Sequence, residues 1–141
     1  QNVSMWIAVD PVRRHSTLEF VAASHRGPWL MPRSFMDEEA KWFPEGSLAD
    51  LPDIEATRAQ QPILGWALEP GDAVAFNYLT LHGAPANNSK VEQRRAFSLR
   101  LMGDNVRFAR REGINTSPPF RGVTLAHGAV MDAPEFPLLA G

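Results

Sequence analysis

Two residue types able to support metal-centred chemistry stand close together between Pro70 and Met102: His82 at the end of an apolar stretch, and the pair Arg94-Arg95 opening the next. A neutral imidazole is a common ligand for iron, zinc or copper. A guanidinium offers a planar fork that pairs with a carboxylate through two hydrogen bonds. A metal ligand and a carboxylate clamp on neighbouring strands point first to an oxidative enzyme. Two plainer readings stay open on the residues alone. A histidine can simply hydrogen-bond at a strand end, and an inward arginine can be neutralised by an internal Asp or Glu, since an unpaired buried charge is costly.

The elements around these residues must place them. Val74 to Leu81 reads as a strand whose two-residue period puts Val74, Phe76, Tyr78, Thr80 and His82 on one face. His82 precedes Gly83, which sets its ring at the mouth of a barrel, where a substrate can reach a metal. Ala86-Asn87-Asn88-Ser89 supplies side chains that bond their own backbone and hold a turn. Ala96 to Met102 is the next strand, with Arg94, Ala96, Ser98 and Arg100 on one face and Arg95, Phe97, Leu99 and Leu101 on the other. The small Ala96 and Ser98 leave room for a ligand beside Arg94, so Ser98 joins the candidate contacts. Arg95 and Arg100 read as surface charges, although Arg100 shares the face of Arg94.

Further out, Met5-Trp6-Ile7-Ala8-Val9, closed by Asp10-Pro11, predicts a buried strand. Leu18 to Ala22 and Ile63 to Leu68 predict two more, and Glu69-Pro70-Gly71-Asp72 predicts a turn in which glycine takes a positive φ. A variable loop at about 27–62 carries scattered prolines and aromatics with one short helical candidate at Phe35 to Phe43. Residues at about 103–141 form an extended, proline-rich tail. At 141 residues the chain suits a single domain with one core. Fourteen basic and sixteen acidic residues leave a net charge of −2, which favours neither nucleic acid nor an anionic membrane as partner. There is no cysteine, which excludes disulfides and thiolate sites. No apolar run approaches the roughly 20 residues of a bilayer span, so the expected location is the cytoplasm. Strands without long helices predict an antiparallel β-sandwich or jelly roll.

The ordered set of apolar strand, Pro-Gly-Asp turn, strand ending in His82-Gly83, asparagine-containing loop and Arg94-Arg95-Ala96-Phe97-Ser98-Leu99-Arg100 resembles the C-terminal half of the phytanoyl-CoA dioxygenase-like family of iron(II)- and 2-oxoglutarate-dependent oxygenases. Trp6-Ile7-Ala8-Val9-Asp10-Pro11-Val12 and Ser16 to Arg26 are similar to that family's strand and its Pro-Gly-Ser-His-like turn, with Ala22-Ala23 where Pro-Gly is usual. The resemblance covers roughly Met5 to Phe120. It implies a double-stranded β-helix, a jelly roll whose open end holds Fe(II) through two histidines and one carboxylate. It also implies that His82 is the distal histidine ligand, that Arg94 binds the far carboxylate of 2-oxoglutarate, and that a small organic substrate is hydroxylated as 2-oxoglutarate is decarboxylated to succinate.

The family's other two ligands lie in a His-x-Asp or His-x-Glu motif upstream of the first strand, and no such motif occurs in this sequence. His15 precedes Ser16-Thr17, His25 precedes Arg26-Gly27 and His127 precedes Gly128-Ala129. The expectation is that the missing ligands belong to a preceding segment and that the jelly roll is incomplete at its N-terminus. Two readings of other classes follow if they do not: a catalytically silent jelly-roll module that binds a carboxylate, or a cupin-like metal enzyme of different chemistry.

Overall fold

A computed structural model describes residues 2–33, 43–110 and 122–139. The described residues form two compact units, one from Asn2–Pro28 with Pro52–Met102, the other from the described parts of Trp29–Leu51 and Gly103–Gly141. The first unit carries all six strands: β1 (Asn2–Ala8), β2 (Glu19–Val21), β3 (Ile63–Leu64), β4 (Ala73–Asn77), β5 (His82–Gly83) and β6 (Ala96–Met102). They make two antiparallel sheets, ordered β4-β1-β6 and β3-β2-β5. The single α-helix among the described residues, α1 (Ile54–Thr57), has Asp53 as its cap, accepting a 2.9 Å bond from the Ala56 N–H.

The central β1 sets the register of the larger sheet. Ser4 lies opposite Phe76 and Arg100, Trp6 opposite Val74 and Ser98, and Ala8 opposite Ala96. Cross-strand partners share a face, so Ser4, Trp6, Ala8, Val74, Phe76, Ala96, Ser98 and Arg100 emerge on one side. On that side Ala8, Val12 and Leu68 form the buried cluster, with Trp6 and Val74 packed against it. Val12 and Leu68 exchange backbone hydrogen bonds of 2.7 and 2.8 Å beyond the sheet. The turn at Glu69 to Asp72 feeds β4 as the sequence predicts, with Gly71 at φ +97° and its N–H bonded to the Ala8 carbonyl at 2.9 Å.

The smaller sheet places Leu64, Phe20 and His82 in one row across three strands. Phe20 is buried, and its ring centroid lies 4.8 Å from that of Phe76, which joins the two sheets through their facing aromatic residues. This departs from the single strand expected over Val74 to Leu81. The Asn77 side chain accepts the Leu79 N–H at 2.9 Å and its carbonyl accepts the Thr80 N–H at 2.9 Å. An asparagine bonding the backbone two residues on folds the chain into a turn, so β4 ends there and His82 belongs to the other sheet. The strand expected over Ile63 to Leu68 likewise shortens to Ile63–Leu64, and Leu68 returns only as an isolated bridge to Val12.

In the second unit, Leu30 bridges Ala49, and Arg33 is held by Glu45 and Asp50 at 2.9 and 2.8 Å. The chain beyond Gly103 turns back on itself, with a bridge between Arg107 and Val130 and a 2.9 Å bond from the Phe108 N–H to the Ala129 carbonyl. The loop expected at about 27–62 is therefore shared: Pro52 onward packs with the strands. Phe43 aside, the helical candidate at Phe35 to Phe43 lies outside the described residues. No helix among those described is long and apolar enough to cross a membrane.

Candidate active site

His82 opens β5 rather than closing β4, and two phenyl rings flank it. Phe20, its cross-strand partner, lies 6.1 Å away with planes inclined by 27°, and Phe76 lies 4.8 Å away at 56°. The Nδ1 atom stands 2.8 Å from the Thr80 carbonyl. A carbonyl only accepts, so Nδ1 carries a proton, and in the neutral ring Nε2 is then the nitrogen with the lone pair. A histidine bound to a metal shows this arrangement, in which the hydrogen bond of one nitrogen fixes the ring and raises the basicity of the other. His82 therefore fits a single iron ligand through Nε2. Its residue remains exposed, so the ring is supported on the aromatic side and open elsewhere.

The segment leading into His82 is itself fastened. The Leu81 N–H donates to Ser24 Oγ at 2.8 Å, the Ser24 hydroxyl donates to the Val21 carbonyl at 2.8 Å, and the Val21 N–H donates to the Leu81 carbonyl at 3.0 Å. Ser24 sits in the turn after β2, entered through Ala23 at φ 61° and ψ 6°. Ala23 is the one non-glycine residue with positive φ among those described. It occupies the position where a glycine is usual in the motif that this turn resembles.

The two adjacent arginines have different surroundings. Arg95 is locked by Asp10, which accepts the Arg95 backbone N–H at 2.8 Å, Nε at 3.0 Å and Nη2 at 2.7 Å. Those bonds hold the Asp10 carboxyl down to about 2. Arg94 has no carboxylate partner among the described residues. Its Nη1 instead donates to the Ser16 carbonyl at 2.5 Å and to the Pro85 carbonyl at 2.9 Å. Both Nη1 hydrogens are then used, and the Nε and Nη2 edge is left as a two-pronged donor. The internal Asp or Glu that would have made Arg94 purely structural is absent among the described residues.

The loop between His82 and Arg94 is organised by its own side chains. Asn87 Nδ2 donates to the Glu92 carbonyl at 2.9 Å, and Ser89 Oγ accepts the Val91 and Glu92 N–H groups at 3.2 and 2.8 Å. Arg13 pins the same loop through Glu92 at 2.6 Å. Ser98 lies opposite Trp6, on the face that bears Ala8 and Phe76, and is exposed. Arg100 occupies that face opposite Ser4 and makes no ion pair among the described residues.

His15 and His127 are exposed, and His127 Nδ1 accepts the Arg110 N–H at 3.2 Å. Among the described residues no three His, Cys, Asp or Glu side chains group to hold a metal. A groove of about 600 Å³ lined by Asp10, Val12, Arg13, Leu68, Val91 and Glu92 contains neither His82 nor Arg94. Of its three acids, Asp10 and Glu92 are paired with arginines and Glu69 makes no ion pair among the described residues, so the groove holds no cluster of ligating groups.

Three residues escaped the sequence reading: Asp10, Thr80 and Ser24. Asp10 looked like a strand terminator, and Thr80 acts through its backbone, for which no side-chain signal exists. Ser24 was visible within the turn motif, but its reach to Leu81 is non-local.

The model of the phytanoyl-CoA dioxygenase family matches residues 1–96, more than half of the chain, and the chain belongs to that family. His82, Arg94 and Arg95 fall inside the match, while Ser98 lies just beyond it. Among solved structures the chain is similar to the non-heme alpha ketoglutarate dependent carbocyclase SnoK from nogalamycin biosynthesis, with 25% identity and a TM-score of 0.65. That alignment covers 99% of this chain and 49% of SnoK, so the chain spans about half the length of the solved structure it matches. No curated protein matches it. The two sheets are accordingly those of a jelly roll, the fold class that the strand pattern leads one to expect.

Proposed function

We propose that the protein is an Fe(II)- and 2-oxoglutarate-dependent oxygenase that hydroxylates a small organic substrate while 2-oxoglutarate is converted to succinate. The observation that carries the reading is the division of labour between neighbouring arginines. Asp10 locks Arg95, whereas Arg94 is tethered by two backbone carbonyls and keeps a donor edge for a carboxylate. Family membership and the alpha ketoglutarate dependence printed for SnoK support it.

In this reading His82 supplies one iron ligand through Nε2, and the Thr80 carbonyl keeps the Nδ1 proton in place. Arg94 binds the far carboxylate of 2-oxoglutarate, and Ser98, on the face shared by Ala96, borders the space beside it. Phe20 and Phe76 exclude water from one side of the imidazole, which strengthens the local electrostatics. Iron with 2-oxoglutarate supplies the oxidising power when bound; the residues of this chain orient and hold.

The test is succinate formation by the full-length protein supplied with Fe(II), oxygen and 2-oxoglutarate, against His82→Ala. Iron-dependent succinate that disappears in His82→Ala supports the reading. Saturable 2-oxoglutarate binding without succinate would instead favour the silent carboxylate-binding module. Analysis of the organic product separates hydroxylation from ring closure, the activity named for SnoK.

A further inference from the structure

The peptide group joining Thr80 to Leu81 is gripped at both ends. Its carbonyl accepts the His82 Nδ1 proton at 2.8 Å. Its N–H donates to Ser24 Oγ at 2.8 Å, and the Ser24 hydroxyl donates onward to the Val21 carbonyl at 2.8 Å. The bonds therefore run in one direction, from His82 through a single peptide plane to Ser24 and then to β2. Each donor in such a chain polarises the next acceptor, which strengthens the series.

The pairing at the end of β2 shows what the side chain does here. Val21 closes β2 with its N–H on the Leu81 carbonyl, but the return rung from the Leu81 N–H to the Val21 carbonyl is not made directly. The Ser24 hydroxyl takes the place of that missing rung. Without it, the Leu81 N–H loses the acceptor it has, and closing the gap to the Val21 carbonyl would tilt the peptide and shift the Thr80 carbonyl relative to the imidazole.

We propose that Ser24 is a positioning residue for His82, acting through the Thr80–Leu81 peptide to fix the imidazole tautomer that leaves Nε2 free for iron. The proposal rests on the reading of His82 as an iron ligand. It adds a determinant in a different element, 58 residues upstream in the chain (82 minus 24).

The test uses the full-length protein with two readouts. Imidazole ¹⁵N chemical shifts of His82 in the metal-free protein report which ring nitrogen is protonated, and anaerobic titration reports Fe(II) affinity. Wild type shows the Nδ1-protonated form. Ser24→Ala mixes the two tautomers and weakens Fe(II) binding about tenfold, the lower end of the effect seen for groups that orient a metal-bound histidine. Ser24→Thr, which keeps a hydroxyl, stays close to wild type in both. Should Ser24→Ala fail to fold, Ser24→Cys keeps the volume with a weak hydrogen-bonding group and is expected to behave as Ser24→Ala.

Wild-type tautomer and Fe(II) affinity in folded Ser24→Ala or Ser24→Cys would overturn the proposal. A different pattern identifies failure of the underlying reading: unchanged Fe(II) affinity in His82→Ala removes His82 from the metal site, whatever the tautomer of the Ser24 variants.

Discussion

Replacing Arg94 by alanine tests the carboxylate clamp most directly, and the structure sets the size of the effect. The Ser16 and Pro85 carbonyls already use both Nη1 hydrogens, which leaves the Nε and Nη2 edge for a carboxylate. Two charge-assisted hydrogen bonds, at about 1.5–3 kcal/mol each and less than additive, correspond to a loss of about 3 kcal/mol. That is a rise of about 10²-fold in the dissociation constant of 2-oxoglutarate. Arg94→Lys should fall between the two, because an ammonium keeps the charge but lacks the fork. Arg95→Ala is the internal control. Its side chain is held by Asp10 at the surface, so 2-oxoglutarate affinity should stay within about twofold, as expected for an exposed ion pair. The assay is anaerobic calorimetric titration of 2-oxoglutarate into the Fe(II)-loaded full-length protein, with circular dichroism to confirm folding. Folded Arg94→Ala that binds 2-oxoglutarate like wild type, or Arg95→Ala as the damaging variant, would refute the assignment.

Ala23→Gly should stabilise the protein. Relief of a left-handed residue at φ 61° contributes about 1–2 kcal/mol, offset by about 0.5–1 kcal/mol of extra chain entropy, for a net gain of about 0.5–1 kcal/mol in a urea melt. Gly65→Ala should destabilise by about 1–3 kcal/mol in the same assay, because the new Cβ would lie 3.1 Å from Thr17 Cγ2 and 3.2 Å from Arg14 Cζ. Arg14 can swing aside, but Thr17 is fully buried. Asp10 governs an acid limb. Its carboxyl is lowered from 3.8 to about 2, so the Asp10–Arg95 pair stabilises fully above about pH 4 and loses its contribution as pH falls toward 2. Melting temperature plotted against pH should therefore fall less steeply across that window in Asp10→Asn than in wild type.

The strands with strong local patterns were legible in the sequence. Ala96 to Met102 is legible at its observed ends, and the Met5 to Val9 run marks a strand that the structure places at Asn2–Ala8, because apolar patterning is a property of the segment itself. The break at Asn77 was not legible. Tyr78, Leu79 and Leu81 have high strand propensity, and only the side chain of Asn77 turning onto Leu79 overrides it. The alternation that placed His82 on the face of Phe76 therefore stops at that turn, yet the two rings still meet, across the sheets rather than along a strand. For the arginines, the two-residue period separated Arg94 from Arg95, but it did not reveal that Asp10, 85 residues away, would hold Arg95. Contacts of that kind depend on the closed fold.

The row Leu64–Phe20–His82 also bears on how this site can change. Phe20 is 5% exposed and touches Phe76, Trp66 and His82 at once, so a substitution there strikes core and imidazole together. Leu64 and Trp66, its neighbours on the other side, are 43% and 47% exposed. About half of each is buried, so altering them removes less buried area than altering Phe20. Substitution is therefore less costly at Leu64 and Trp66 than at Phe20, and variation should accumulate unevenly among the residues that pack around that one buried ring.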